Sequence, residues 1–186
     1  MIRLRNGDLL ASSAQTLVNT VNCVGVMGKG IALDFRNKHP EMYRDYRRRC
    51  SERSVRPGEP YLYDSSDVPL ILNFPTKNHW KSPSKISYLH KGLQILVENY
   101  KEWGIKSIAV PPLGCGNGGL DWNEVGPVIY DYLTKLDIPV ELFVPPHVVA
   151  DNAEKRRLEA FTYSVSQAQL PLGLMSQGSS GNRRTA

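Results

Sequence analysis

A chain of 186 residues is long enough to bury one core and too short for two full domains. Its composition, 41% hydrophobic and 22% charged with no apolar run of about 18 residues, excludes fibrous and membrane-spanning classes. The 23 basic against 18 acidic residues give a net charge of +5, which favours a polyanionic partner without identifying one.

The N-terminal residues and the cysteines predict the compartment. Residues 1–5 have the pattern of a strand and not the long apolar stretch of a secretory signal, so we expect a cytoplasmic protein with reduced thiols. The cysteines, which have no CxxC spacing, are Cys23, Cys50 and Cys115. Since the histidines have no ligand spacing either, we expect neither a disulfide framework nor a bound metal.

Short apolar runs alternate with helical periodicity along the chain. Mostly buried strands are predicted at residues 17–21, 70–74, 107–110 and 140–144. Helices are predicted at 30–37, from Pro40 onward, at 86–100 and from Asp121 onward. The last of these begins with an acidic capping box and is expected to confine Pro127 to its first turn. The alternation indicates an α/β domain with helices on both faces of a central sheet.

The composition changes after residue 150. Residues 151–154 have the pattern of a helix cap, and the helix that they begin is predicted to end near Phe161. Residues 164–186 are rich in Ser, Gln and Gly, which is typical of linker or disordered sequence. We therefore divide the chain into a domain at 1–150 and a C-terminal helix with a flexible tail at 151–186.

Two glycine-bearing loops each lie between a predicted strand and a predicted helix. In the first, within residues 19–32, the helix begins directly after Gly30, where its N–H groups and dipole favour a phosphate. In the second, within residues 110–120, the glycines from Gly114 to Gly119 leave no side chain to hold a ligand away from the backbone. Two such loops predict a nucleotide crevice, and the alternative is that the glycines only permit tight turns.

Together with residues 6–9, the two loops resemble the macrodomain family of ADP-ribose-binding modules over residues 1–147. The resemblance implies a mixed central sheet, an adenine contact by Asp8, a diphosphate wrapped by both loops and a distal ribose beside Asn22. Without the resemblance, Asp8 would be an ordinary turn residue. The residues that the resemblance assigns to ADP-ribose are Asp8, Leu9, Asn19, Gly28, Lys29, Gly30, Ile31, Thr76, Leu113, Gly114, Cys115, Gly116, Asn117 and Gly118.

Within this family, residues 21–32 and 73–80 look like those of the DarG antitoxins. These are DNA ADP-ribosyl glycohydrolases that reverse the toxin DarT, which attaches ADP-ribose to thymidine in single-stranded DNA. The resemblance implies a monomeric hydrolase without a cofactor that acts on ADP-ribosylated single-stranded DNA and counters a DarT-type toxin. Two alternatives stay open. One is hydrolysis of ADP-ribose from acidic protein side chains, or of acetylated ADP-ribose; the other is a non-catalytic ADP-ribose reader.

Lys77 is the predicted catalytic group. It follows a buried strand and Pro75, and the resemblance aligns it with a lysine proposed to attack the ribose in the human terminal ADP-ribose protein glycohydrolase. A neutral amine would attack the anomeric carbon, whereas a protonated amine would stabilise the departing thymine. The human relative has an aspartate at the place of Gly118, so cleavage here is expected to rest on Lys77, Asn22 and water.

Basic and aromatic residues beyond Lys77 predict DNA contacts. His79, Trp80 and Lys81 suit stacking of an extruded base and a phosphate contact, while the alternative for Trp80 is a core residue that covers the sheet edge. A second basic cluster lies on a predicted helix, where it follows a DNA backbone or forms a solvated face. Its members are Arg44, Arg47, Arg48 and Arg49.

Overall fold

The described residues build a six-stranded mixed sheet. The computed structural model describes residues 1–65 and 69–168, with side chains as far as residue 161. The strands lie in the order β1-β6-β5-β2-β4-β3, and every neighbouring pair is parallel except β3 with β4. The predicted mixed α/β sheet is therefore confirmed. The strands are β1 (Ile2–Arg5), β2 (Thr16–Val21), β3 (Tyr61–Tyr63), β4 (Leu70–Pro75), β5 (Ile108–Val110) and β6 (Val140–Phe143).

Helices cover both faces of the sheet. Because side chains on both faces are buried, the strand sequences are continuous apolar runs. Leu17 and Val21 of β2 pack with the first two helices, whereas Val18 packs on the opposite face with the last three. This alternation follows from the two-residue period of a strand. The helices are α1 (Gly30–Lys38), α2 (Pro40–Ser51), α3 (Ile86–Asn99), α4 (Trp122–Thr134) and α5 (Asn152–Ala168).

The edge strand β3 was not predicted. Its three residues are all half-buried, so they show no alternation of buried and exposed side chains. The strand is defined by its antiparallel pairing with β4, in which Tyr61 lies opposite Asn73 and Tyr63 opposite Ile71. A strand of three residues is too short to show a hydrophobic periodicity, and its pairing with a distant strand cannot be recognised from its own residues.

Pro127 lies further inside helix α4 than the sequence predicts. The helix begins at Trp122, with Asp121 as its N-cap, whose side chain accepts a hydrogen bond from the Asn123 amide at 2.9 Å, as the cap predicted. Pro127 is the sixth residue of the helix and so lies beyond its first turn. The carbonyl that loses its partner belongs to Asn123, a residue exposed to solvent, so water can satisfy it.

Helix α5 is longer than predicted. Asp151 caps it by accepting from the Glu154 amide at 2.9 Å, and it continues to Ala168. The interpretation of residues 164–168 as linker was therefore wrong, while the rest of the predicted tail lies outside the described residues. The helix packs on α4, where Trp122 Nε1 donates to Glu154 at 2.8 Å. Of the helices described, none is both long and apolar enough to cross a bilayer.

Parallel strands bring three loops together at one edge of the sheet. Val21 at the end of β2 lies in register with Pro75 at the end of β4, and β5 pairs with β2 on its other side. Thr76 extends the ladder by donating its amide to the Val21 carbonyl at 3.0 Å. The segments that follow β2, β4 and β5 therefore meet where ligands bind in open α/β sheets.

Candidate active site

A cleft of about 690 Å³ lies beyond the ends of β2, β4 and β5. Both glycine loops and the segment that follows β4 form its walls. The predicted site residues that line it are Asn22, Gly28, Lys29, Gly30, Ile31, Thr76, Lys77, Trp80, Lys81, Gly114, Gly116, Asn117 and Gly118. The lining residues that were not predicted are Thr20, Val21, Val26, Ala32, Pro111, Pro112 and Pro146.

The first loop is built around the side chain of Asn22. This residue is 6% exposed. Its Nδ2 donates to the Val26 carbonyl at 2.6 Å, and its Oδ1 accepts from the Val24 amide at 3.0 Å. The buried Tyr46 hydroxyl lies 2.8 Å from the main-chain oxygen of Asn22 and 3.0 Å from Oδ1. Burial raises the pKa of Tyr46 above its usual range, so this hydroxyl is a permanent donor.

The start of α1 is free to receive an anion. Lys29 occupies the N-cap position and makes no side-chain capping bond, so the first-turn N–H groups of the helix are not used by a cap. Gly30 has a φ of 56°, in the region that favours glycine. A Cβ at Gly30 would lie 3.0 Å from Asn117 Nδ2, which means that the two loops approach each other here.

The second loop has no room for a side chain at Gly118. A Cβ at this position would overlap Ser84 Oγ and the Gly114 carbonyl oxygen, and would lie 2.9 Å from the Gly114 carbonyl carbon. Backbone bonds hold these atoms in place: Ser84 N donates to the Gly118 oxygen at 2.9 Å, and Leu120 N donates to the Gly114 oxygen at 3.0 Å. The aspartate of the human relative therefore cannot be accommodated in this loop conformation.

Lys77 brings an amine to the point where the loops meet. Its Nζ donates to the Asn117 carbonyl of the second loop at 2.7 Å. The first loop holds its backbone, since the Cys23 amide donates to Asn78 at 3.0 Å and the Cys23 thiol donates to the Lys77 carbonyl at 3.5 Å. Burial raises the pKa of Cys23 to about 12, which keeps the thiol a donor. Burial lowers the pKa of Lys77, which increases its neutral fraction.

Some predicted ligand residues have other contacts and are not among the residues lining the cleft. Asp8 is exposed and caps a short 3-10 turn, Leu9–Ala11, by accepting from the Leu10 amide at 2.9 Å. Asn19 is fully buried, and its Nδ2 donates to Asn73 Oδ1 at 3.0 Å. Their contacts to ADP-ribose, like that of Leu9, stay predictions.

The second loop also turns two predicted residues towards the core. Leu113 is fully buried, and the Cys115 thiol points back to the Leu113 carbonyl at 3.7 Å. Burial and the nearby charge of Asp121 raise the pKa of Cys115 to about 12, so this cysteine is not a thiolate nucleophile. A ligand contact from either residue would come from its backbone.

An exposed tryptophan, stacked on a half-buried histidine, lies at the mouth of the cleft. Trp80 is 49% exposed, which rules out a core position. Its ring stacks with that of His79 at 5.5 Å between centroids and 28° between planes. Lys81 Nζ lies 5.0 Å from the Trp80 ring centroid. Trp80 and Lys81 line the cleft, so a flat aromatic surface with a cation lies beside the catalytic candidate Lys77.

The sequence pattern of the Macro domain matches residues 18–129. A DNA ADP-ribosyl glycohydrolase of Mycobacterium tuberculosis is 52% identical over 128 residues, which are 67% of this chain and 36% of that protein. The chain thus spans well under half of this relative.

Solved structures agree with the sequence match. The macrodomain of Mycobacterium tuberculosis DarG superposes with a TM-score of 0.75 at 45% identity, over 78% of this chain and 98% of that one. Thermosipho africanus DarTG in complex with ADP-ribose superposes with a TM-score of 0.76 at 42% identity, over 82% of this chain and 44% of that one. By pattern, sequence identity and fold, this chain belongs to the Macro domain family.

Proposed function

We propose that this chain is the catalytic macrodomain of a DNA ADP-ribosyl glycohydrolase. It would hydrolyse the N-glycosidic bond between ADP-ribose and thymine in single-stranded DNA. The observation that carries the proposal is the Lys77 amine, which lies 2.7 Å from the Asn117 carbonyl where the two glycine loops meet. The relatives that bear this activity in their names support the same reaction, and so does the relative solved with ADP-ribose.

The two loops supply the binding energy for the diphosphate. The uncapped start of α1 provides N–H groups and the positive end of a helix dipole, and the second loop provides backbone without side chains. A diphosphate bound between them directs the distal ribose towards Asn22 and Lys77, which both line the cleft. Asn22 acts there chiefly by holding the loop, because its Oδ1 and Nδ2 already bond within it.

Hydrolysis requires thymine to leave with the electron pair of the glycosidic bond. As a nucleophile, the neutral Lys77 amine forms a bond to the anomeric carbon while thymine departs and takes up a proton, and water then displaces the lysine. As a cation, the same amine stabilises the negative charge on the departing base. The lowered pKa of Lys77 favours the first role. Gly118 can supply no acid in either role, so protons are exchanged with water.

The aromatic pair supports a nucleic acid as the rest of the substrate. Stacking on Trp80 would stabilise a base that has left the strand, and Lys81 beside it would attract a phosphate. The relative from Thermosipho africanus is named as a fusion protein of a DNA ADP-ribosyl transferase and a DNA ADP-ribosyl glycohydrolase. We therefore propose a DarT-type toxin as the enzyme whose product this chain removes; cytoplasmic location and a monomeric state belong to the same proposal.

The test is a turnover assay on two substrates, together with a binding measurement on free ADP-ribose. A single-stranded oligonucleotide with ADP-ribose on one thymidine should return to the mobility of unmodified DNA and release ADP-ribose. A peptide with ADP-ribose on glutamate tests the protein-directed alternative. If the chain binds free ADP-ribose but clears neither substrate, it is a reader and the proposal is wrong.

The matched variants are Lys77→Ala and Lys106→Ala. Lys106 is an exposed lysine at the opposite, amino end of β5, so its removal changes the net charge equally without touching the cleft. We expect Lys77→Ala to lose at least about a hundredfold in kcat, the range for removing a general acid, base or nucleophile. Lys106→Ala should retain full turnover. Equal turnover by both variants would contradict the role of Lys77.

A further inference from the structure

A second cavity lies between the first glycine loop and helix α2. It is about 610 Å³ in volume and lies between residues 23–26 and the C-terminal end of α2. Val26 lines both this cavity and the cleft, so the two adjoin at this residue. A polymer attached to a ligand in the cleft would enter the second cavity past Val26. Val24 and Val26 are themselves exposed, at 44% and 38%.

Of the basic residues on α2, most are neutralised by carboxylates. Arg44 pairs with Glu41, and Arg48 pairs with Asp45 at 2.7 Å and with Glu52 at 2.9 Å. Arg49 pairs with the other oxygen of Asp45 at 2.7 Å. The predicted basic cluster is thus largely a salt-bridged helix face.

Two arginines of the second cavity have no carboxylate partner among the described residues. Within the described part of the chain, Arg47 makes no side-chain hydrogen bond or ion pair, and its guanidinium carbon lies 5.9 Å from the centroid of the Tyr43 ring. Arg53 is exposed and makes no side-chain hydrogen bond or ion pair within the described part of the chain. Both line the cavity, which therefore has two positive charges without a carboxylate partner among the described residues, and no acidic residue is part of its lining.

The backbone at Arg53 shows that an arginine here has a conformational cost. Its φ of 56° is the one left-handed value of a non-glycine residue in the described ranges. The residue ends α2 in a Schellman motif, in which the Arg53 amide donates to Cys50 at 3.0 Å and the Ser54 amide donates to Arg49 at 3.0 Å. Glycine is the usual residue at this position, because a Cβ is unfavourable there. At this position glycine would make the folded protein more stable than arginine does.

We propose that this second cavity binds a backbone phosphate of the DNA strand next to the modified nucleotide. The inference rests on the proposed function, since that function places a DNA strand at the adjoining cleft. Two guanidinium groups without carboxylate partners offer paired donors to phosphate oxygens. The strand would then be held at Trp80 on one side of the cleft and at Arg47 and Arg53 beyond Val26.

The test compares how variants of the cavity bind an ADP-ribosylated oligonucleotide and how they bind free ADP-ribose. The variants are Arg47→Gln and Arg53→Gly, and Arg156→Gln is the control, because Arg156 is an exposed arginine on α5, on the opposite face of the sheet. The substrate is an oligonucleotide of about ten nucleotides with one ADP-ribosylated thymidine, within the usual site size for single strands. Free ADP-ribose is the minimal ligand.

We expect each cavity variant to raise KM for the oligonucleotide roughly fivefold, with kcat and the affinity for free ADP-ribose unchanged. The slope of log affinity against log salt concentration should fall by about 0.7 for each lost phosphate contact. Arg53→Gly should melt at or above the wild-type temperature, because glycine adopts the left-handed conformation freely. A loss of binding by this variant thus cannot be attributed to unfolding.

Unchanged KM and salt slope in Arg47→Gln and Arg53→Gly would overturn the inference. So would an equal loss of affinity for free ADP-ribose, or the same loss in Arg156→Gln. If the wild-type chain does not cleave the modified oligonucleotide, the proposed function fails separately. The unmodified oligonucleotide is then titrated by fluorescence anisotropy, where weaker binding and a smaller salt slope in the two variants support the cavity and equal values refute it.

Discussion

Gly118 has no space for a side chain, and a substitution there is expected to lower both the stability of the fold and the affinity for ADP-ribose. Gly118→Ala puts a Cβ into the Gly114 carbonyl group, at 2.9 Å from its carbon, and onto Ser84 Oγ. The serine can rotate away, but the carbonyl is held by Leu120 N at 3.0 Å. The loop must therefore shift as a whole.

The cost follows from what that shift disrupts. Overpacking a tight site costs about 1 to 3 kcal/mol. The backbone bonds from Ser84 N to the Gly118 oxygen and from Leu120 N to the Gly114 oxygen each contribute about 1 kcal/mol and would be strained or lost. We expect Gly118→Ala to be less stable by about 1 to 3 kcal/mol and its Tm to fall by roughly 2 to 10 °C. Because the loop also forms the wall of the cleft, the affinity for ADP-ribose should fall.

Gly116→Ala is the matched control in the same loop. No heavy atom lies within 4 Å of a Cβ built at Gly116, so its stability should stay the same or rise slightly. Since Gly116 lines the cleft, a methyl group there still obstructs a ligand that approaches the backbone. We expect this variant to keep its Tm and to bind ADP-ribose more weakly.

The assay is thermal unfolding with and without ADP-ribose, together with calorimetric titration of the ligand. A bound ligand raises Tm through its affinity for the folded state, so both effects appear in one data set. If Gly118→Ala melts with the wild type and binds ADP-ribose equally, the loop is not packed as described. If Gly116→Ala loses as much stability as Gly118→Ala, the contact at Gly114 is not the cause.

Two further predictions concern the first loop and the amine. Tyr46→Phe removes the hydroxyl that lies 2.8 Å from the Asn22 carbonyl oxygen. We expect its free energy of unfolding in urea to fall by about 1 to 3 kcal/mol and its binding of ADP-ribose to weaken. In the control Tyr43→Phe, the hydroxyl that is removed lies 3.4 Å from the Gly25 carbonyl oxygen, so the loss of stability should be smaller. Wild-type stability and affinity in Tyr46→Phe would contradict this role. Because burial lowers the pKa of Lys77, kcat should rise with pH through that pKa and level off below the pH at which an exposed lysine titrates. A fall in kcat over the same range would indicate that the protonated amine acts.

Local sequence patterns predicted most of the elements and both loops correctly. The buried strands and the helices at α1, α3 and α4 each produce a periodic signal in their own residues. The order of strand, glycine loop and helix also indicated where a phosphate could bind, because a helix start favours anions wherever it occurs. The prediction that Lys77 is the catalytic group rests on its place after a strand and on the resemblance to the DarG antitoxins, and it stays a prediction.

Only the tertiary structure decided the properties that depend on pairs of distant residues. The edge strand β3 exists through its pairing with β4. The carbonyl that holds Lys77 belongs to Asn117, 40 positions away along the chain, and the hydroxyl that braces Asn22 comes from Tyr46, 24 positions away. Such contacts leave no periodicity in the sequence, since they are fixed by packing and not by local backbone preference.

Charge pairing is a further property that a sequence cannot show. The run of arginines on α2 looked uniform, yet carboxylates neutralise most of its members and leave Arg47, which lines the same cavity as Arg53, without a carboxylate partner among the described residues. The sequence by itself determined which chemical groups the chain has and in which elements they lie. The fold determined which groups are free to meet a ligand, because burial, close contact and pairing depend on distances that only packing sets.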